Sequence, residues 1–184
     1  MKKLKLLTFL LLLSSISFSQ GKKKLIKEGN KLYNDSSYNL AEMKYRKSLE
    51  KDQGYFNASF NLADAVYKQE RYEESTSFFE SLKDNARNDQ ELANINHNLG
   101  NSLLKENKID LAIEAYKTSL RINPNDEDTR YNLAYAQKMK QQQDQKEQQQ
   151  DQKEQQQDQK EQQQDQKEQQ QDQKEQQQDQ KEQQ

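Results

Sequence analysis

A single histidine, His97, and no cysteine leave this 184-residue chain little with which to bind a metal or drive nucleophilic catalysis. A metal or acid–base site needs a second ligand or a paired carboxylate at helical spacing, and Asn101 stands four residues after His97. The 31 Asp and Glu are interleaved with 29 Lys and Arg, the pattern of solvated helix faces. No glycine-rich phosphate loop, nucleophile elbow or Ser/His/Asp grouping occurs. These residues predict no enzymatic chemistry, no cofactor and no metal. Amides are a different matter. Asn61, Asn98 and Asn132 recur at intervals of 37 and 34 residues, each followed by Leu and then Ala or Gly. An asparagine side chain offers one donor and one acceptor side by side, the complement of a peptide N–H and C=O. On helices packed about 9–10 Å apart, three such amides meet an extended peptide at roughly every third residue, at ~3.3 Å per residue. The competing use of the same residues is hydrogen bonding between neighbouring helices.

An internal repeat places those amides. The stretches KEGNKLYND (27–35), NLADAVYKQ (61–69) and NLGNSLLKE (98–106) align, and NLAYAQKMK begins a fourth at Asn132. Gly29, Ala63, Gly100 and Ala134 share one register. A second small residue follows each of the first three (Ala41, Ser75, Ala112), and then an aromatic (Tyr45, Phe79, Tyr116). Apolar residues recur at helical spacing: Leu40, Met43 and Leu49; Leu62, Val66 and Tyr67; Leu99, Leu103 and Leu104; Leu111, Ile113, Tyr116 and Leu120. Turn-forming breaks fall at 34–37, 51–54, 105–108 and 123–126. No run alternates with the period of a strand. One helical hairpin cannot bury its apolar face alone, whereas stacked hairpins share a core. Gly29 and Gly100 fall inside helices at a cost of about 1 kcal/mol each against Ala, so close approach of a partner helix is expected there.

Over roughly 22–140 the pattern resembles the tetratricopeptide-repeat (TPR) family. That family asks for a Leu-small pair, Ala, an aromatic and Pro in order, and the third repeat matches best with Leu99, Gly100, Ala112, Tyr116 and Pro124. Glu28 replaces the Leu of the first repeat. Ser75 replaces the Ala of the second, which also carries three extra residues near 83–89. The resemblance implies an all-α, right-handed TPR solenoid of three helical hairpins plus a C-terminal capping helix, then a disordered or frayed-helical Gln-rich tail. The expected boundaries are a signal peptide at 1–19, repeats at 20–55, 56–92 and 93–125, a cap at 126–140 and the tail at 141–184. The resemblance also implies a groove lined by the first helices. It would be built from Ile26, Lys27, Asn30 and Tyr33; Asn57, Phe60, Asn61, Asp64 and Tyr67; Asn94, His97, Asn98, Asn101 and Leu104; and Tyr131, Asn132 and Tyr135. Such a groove predicts protein or peptide segments as partners. A specialised TPR type clamps the C-terminal carboxylates of chaperones. Asn30 and Asn61 match its asparagines, but Ile26, Asn94 and Asn98 fill its basic positions, so no carboxylate clamp is expected.

Both ends of the chain have their own composition. MKKLK, then LLTFLLLL, then the small-residue run SSISFS reads as an export signal cut after Ser19. Leu6–Phe18 spans 13 residues, short of the ~20 that cross a bilayer. The expectation is a periplasmic or secreted protein with no stable membrane insertion after cleavage, and without cysteine there is no lipid attachment through one. The middle segment is nearly neutral and has no basic stripe, which argues against nucleic acid. NPNDEDTRYNLAYAQK followed by a Gln-rich acidic tail resembles the TPR component of bacterial aerotolerance (Bat) operons. That likeness implies an envelope protein working with von Willebrand-type membrane proteins in stress tolerance. The tail repeats QQQDQKE six times from Gln141 to Glu182. Seven residues is the coiled-coil period, yet no position is apolar, so no seam exists to supercoil around. Asp144 and Glu147, then Glu147 and Asp151, set like charges one turn apart. The spacing predicts a helix fraying beyond Lys140 into a polar spacer. A structural alternative is self-assembly through the stack or the tail.

Overall fold

The computed structural model describes residues 21–182, with side chains as far as Glu154. The expected signal segment 1–19 lies outside the described residues. Among the described residues seven α-helices follow in order: α1 (21–34), α2 (Tyr38–Lys51), α3 (Phe56–Lys68), α4 (Tyr72–Leu82), α5 (Asp89–Lys105), α6 (Ile109–Ile122) and α7 (Glu127–Glu182). Among the described residues there is no strand. Helices pair as hairpins, α1 with α2, α3 with α4 and α5 with α6. Each hairpin packs on the next through α2 against α3 and α4 against α5.

The hairpin turns share one backbone device. Ser36, Glu70 and Asn107 adopt left-handed φ of 57°, 63° and 61°. Each donates its N–H back to the helix just ended, as does the residue after it: Ser37 to Leu32, Arg71 to Val66 and Lys108 to Leu103. This closure satisfies carbonyls that a helix end otherwise leaves open. The three extra residues of the second hairpin form a 3-10 turn at Lys83–Asn85. The chain then reaches Asn88, whose side chain accepts the Glu91 N–H at 2.9 Å and caps α5. α5 therefore begins at Asp89, ahead of the repeat boundary expected at 93.

Burial follows the repeat. Ala41, Ala63 and Ala112 are fully buried beside the rings of Tyr45, Phe79 and Tyr116. Ser75, standing where the pattern asks for Ala, bonds Ala63 O at 3.0 Å and Ser102 Oγ at 3.0 Å, so its hydroxyl is satisfied in the core. Three residues read as part of the apolar stripes turn outward instead: Leu40, Met43 and Leu111 are 44%, 53% and 57% exposed. Leu40 and Leu111 occupy the place that Glu74 holds in the second hairpin. That place lies one residue, about 100° of helix, before the buried Ala41, Ser75 and Ala112. Ala134 is exposed while its equivalents are buried, because no further second helix follows to lay an aromatic ring on it.

The chain divides into two compact units, Met1–Lys138 and Met139–Gln184. In the second, the backbone remains helical to Glu182 rather than fraying soon after Lys140. The heptad contains favourable pairs that offset its like charges. Gln143 donates to Glu147 and Gln150 to Glu154, each at 3.1 Å, and Lys140 pairs with Asp144 at 3.2 Å.

Candidate functional site

The row of first helices is tied together by a repeated triad. Asn30 Oδ1 on α1 accepts from the Tyr45 hydroxyl on α2 and from Asn61 Nδ2 on α3, both at 2.9 Å. Two hairpins on, Asn101 Oδ1 on α5 accepts from the Tyr116 hydroxyl on α6 at 2.8 Å and from Asn132 Nδ2 on α7 at 2.9 Å. Each tyrosine ring is set by the glycine beneath it. A Cβ on Gly29 or Gly100 would stand 2.5 Å from Cε1 of Tyr45 or Tyr116. Burial first, then the Asp64 charge, pushes the Tyr45 hydroxyl up to about 12, so it stays a donor at neutral pH. In the middle hairpin the pattern breaks: Phe79 has no hydroxyl and Asp64 replaces the asparagine. Asp64 instead shares a cavity lining with Tyr33, whose hydroxyl favours its charged form.

This changes the expected ladder. Asn61 and Asn132 are not unengaged readers, because each spends one amide hydrogen on the preceding hairpin. What remains at each triad is a donor amine on Asn30 or Asn101 and an acceptor oxygen on Asn61 or Asn132, both held in a fixed direction. Asn98 makes no such side-chain bond among the described residues.

Two cavities open on this face. One of about 220 Å³ lies between α1 and α3 and is lined by Asn30, Tyr33, Asn34, Tyr45, Asn61 and Asp64. The other, about 250 Å³, is lined by Tyr67, Asn101, Leu104, Lys105, Tyr116, Tyr131, Asn132 and Tyr135. Tyr131 and Tyr135 are 73% and 51% exposed.

The remaining expected residues divide between groove and frame. Ile26 is in the core with Tyr45 and Leu62, which corrects its placement in the groove. Lys27 is exposed. Phe60 sets its edge against Phe79 at 5.5 Å and helps wall the core. Asn57 accepts from Arg87 at 3.0 Å, and Asn94 accepts from Gln90 at 2.9 Å. His97 is structural as well: its Nδ1 meets Thr129 Oγ1 at 2.6 Å, joining α5 to α7.

Two features were not foreseen. Asn34 lines the first cavity. Glu42, nearly buried, accepts from Arg46 Nη2 at 2.7 Å, Gln69 Nε2 at 2.7 Å and Arg71 Nη1 at 2.7 Å. Burial works to raise its pKa, but the hydrogen bonds from Gln69, Arg46 and Arg71 outweigh it and hold the carboxylate below its usual range. Only Arg46 lies at helical spacing from Glu42. The other two partners come from the next hairpin.

Among the described residues no cluster of His, Cys, Asp and Glu could hold a metal ion, and no helix is long and apolar enough to cross a membrane. Two family models match the chain, one described as tetratricopeptide repeat over residues 26–90 and one as TPR repeat over residues 100–141. No curated protein matches it. Among solved structures, the first TPR of Spaghetti (RPAP3) bound to HSP90 peptide SRMEEVD is similar with a TM-score of 0.61 and 20% identity, over 66% of this chain and 94% of that one. The Sgt2 TPR domain from Aspergillus fumigatus gives 0.62 and 17%, over 67% and 82%. The N-terminal domain of stress-induced protein-1 from C. elegans gives 0.57 and 19%, over 65% and 97%. With both halves of the helical stack matched by models of one family and the fold shared with its solved members, this chain is a tetratricopeptide-repeat protein.

Proposed function

We propose that this protein is a non-enzymatic adaptor that binds extended protein segments across the face formed by α1, α3, α5 and α7. The observation that carries the reading is the repeated Tyr–Asn–Asn triad. A hydroxyl donor from a buried tyrosine orients an amide pair toward the open cavities twice along the row. Fixed amides lose less entropy on binding than mobile ones, and a donor beside an acceptor suits a peptide backbone of any sequence. The first TPR of Spaghetti, similar in fold, binds an acidic HSP90 peptide. Here the basic positions of a carboxylate clamp hold Ile26, Asn94 and Asn98, so a different ligand class is implied. The export pattern of Met1–Ser19 and the likeness of NPNDEDTRYNLAYAQK to the Bat TPR component support a place in the cell envelope. They also support von Willebrand-type membrane proteins as partners in stress tolerance.

Asn61→Ala combined with Asn132→Ala removes the acceptor oxygens and leaves both Tyr–Asn bonds. Binding to an array of N-acetylated decapeptides should fall about tenfold while urea unfolding stays cooperative, its midpoint lowered only by the loss of the two inter-hairpin bonds. Equal binding by the variant sinks the backbone-reading role. Detergent-free fractionation of cells carrying the full gene tests export: chain found only in the cytoplasm, at full length, sinks that part.

A further inference from the structure

The two cavities differ in chemistry. The first holds Asp64, a half-buried carboxylate in the interior of α3. The Tyr33 hydroxyl lies beside it in the cavity lining, and among the described residues no lysine or arginine forms an ion pair with it; Lys68 acts on it only through space. Burial raises its pKa, more than the Tyr33 hydroxyl and the Lys68 charge lower it. This residual burial cost is one that a bound cation would relieve. The rings of Tyr33 and Tyr45 and the free oxygen of Asn61 border the same space, and aromatic faces and an amide oxygen both attract an ammonium or guanidinium. The nearby lysines do not reverse this sign. Lys68 and Lys105 are exposed final residues of α3 and α5, where a cation complements the helix C-terminus. The second cavity carries no acid. Tyr67, Leu104, Tyr131 and Tyr135 give it an apolar wall.

Resting on the peptide-binding reading above, we propose that the groove selects an extended segment with a lysine or arginine that enters the Asp64 cavity. A large apolar side chain on the same segment enters the tyrosine cavity. The cavities lie two first-helix steps apart, roughly 18–20 Å, so the two side chains stand about six residues apart along an extended ligand. Charge complementarity at the floor of the first cavity decides the sign.

The test uses the purified chain and fluorescent nonapeptides, acetylated and amidated so that no terminal charge competes. Their Ala/Ser frame carries Lys and Phe six positions apart, Gln or Glu in place of Lys, or Ala in place of Phe. The Lys/Phe peptide should bind about tenfold tighter than Gln/Phe, and Glu/Phe weakest. Asp64→Asn, which keeps the size of the side chain and removes its charge, should erase the preference for Lys, bringing Lys/Phe and Gln/Phe to the same affinity. Tyr135→Ala should weaken every Phe-bearing peptide while keeping the preference for Lys. The inference is overturned if Glu/Phe binds as well as Lys/Phe, or if the preference survives Asp64→Asn. Equal binding of all the peptides leaves the adaptor reading intact and removes this inference alone. Binding of none removes both.

Discussion

Two glycines decide how closely the helices of a hairpin approach. Alanine at Gly100 would recover about 1 kcal/mol of helix propensity, but its Cβ would lie 2.5 Å from Tyr116 Cε1. The ring must move, at a typical overpacking cost of about 1–3 kcal/mol, and its hydroxyl is tied to Asn101 at 2.8 Å. Gly100→Ala should therefore destabilise by about 2 kcal/mol in urea unfolding. The middle hairpin shows a way out: Ala63 and Phe79, at the equivalent positions, are both fully buried, with no hydroxyl to anchor the ring. In a Tyr116→Phe background, Gly100→Ala should cost about 1 kcal/mol less. Equal costs in both backgrounds would mean that the hydroxyl tether has no part in requiring glycine.

The last hairpin and α7 are joined through the one histidine. Asp126 Oδ1 accepts the Thr129 N–H at 3.0 Å and starts α7, and the fully buried Thr129 hydroxyl meets His97 Nδ1 at 2.6 Å. Burial depresses the pKa of His97, against the opposing charges of Asp126 and Asp128. A group with a depressed folded pKa contributes stability that is complete above its unfolded value, about 6.5, and is lost as pH falls through the folded value. Asp64, raised by burial, works in the opposite sense as it takes up its proton. Urea stability should thus fall between about pH 6.5 and about 5, above the range in which the depressed carboxylates of Glu42 and Asp126 lose theirs, and His97→Gln should flatten that slope; an unchanged slope in the variant refutes the linkage. At this scale much was legible in the sequence. The 34- and 37-residue spacings of Gly29, Ala63, Gly100 and their aromatics are local patterns, and they located the hairpins and the face they present. Contacts between hairpins were less visible. Nothing in spacing alone says that Asn61 gives its amide to Asn30, that Arg71 reaches Glu42, or that His97 finds Thr129, because each pair is set by how one hairpin lies on the next. Leu40 and Leu111 misled for a related reason: a hydrophobic residue one step off the buried stripe costs little on a surface.

For the whole molecule, the question is whether the tail shares in the stability of the repeats. Among the described residues the buried apolar side chains end at Ala136, before the boundary between the two units. The tail helix has no apolar face, so its helicity rests on the propensities of Gln, Glu and Lys and on pairs such as Gln143–Glu147. A helix of that kind melts gradually, whereas a stack with a shared core melts cooperatively. Far-UV circular dichroism of the full chain should show one cooperative step on a steadily sloping baseline. A chain ending at Lys140 should keep the step within a few degrees and lose most of the slope. Sedimentation of the same two proteins separates a spacer from an assembly device. A spacer predicts the same oligomeric state with and without the tail, and a state that collapses on truncation, or a cooperative step that moves by ten degrees or more, would give the heptads a structural role in self-association.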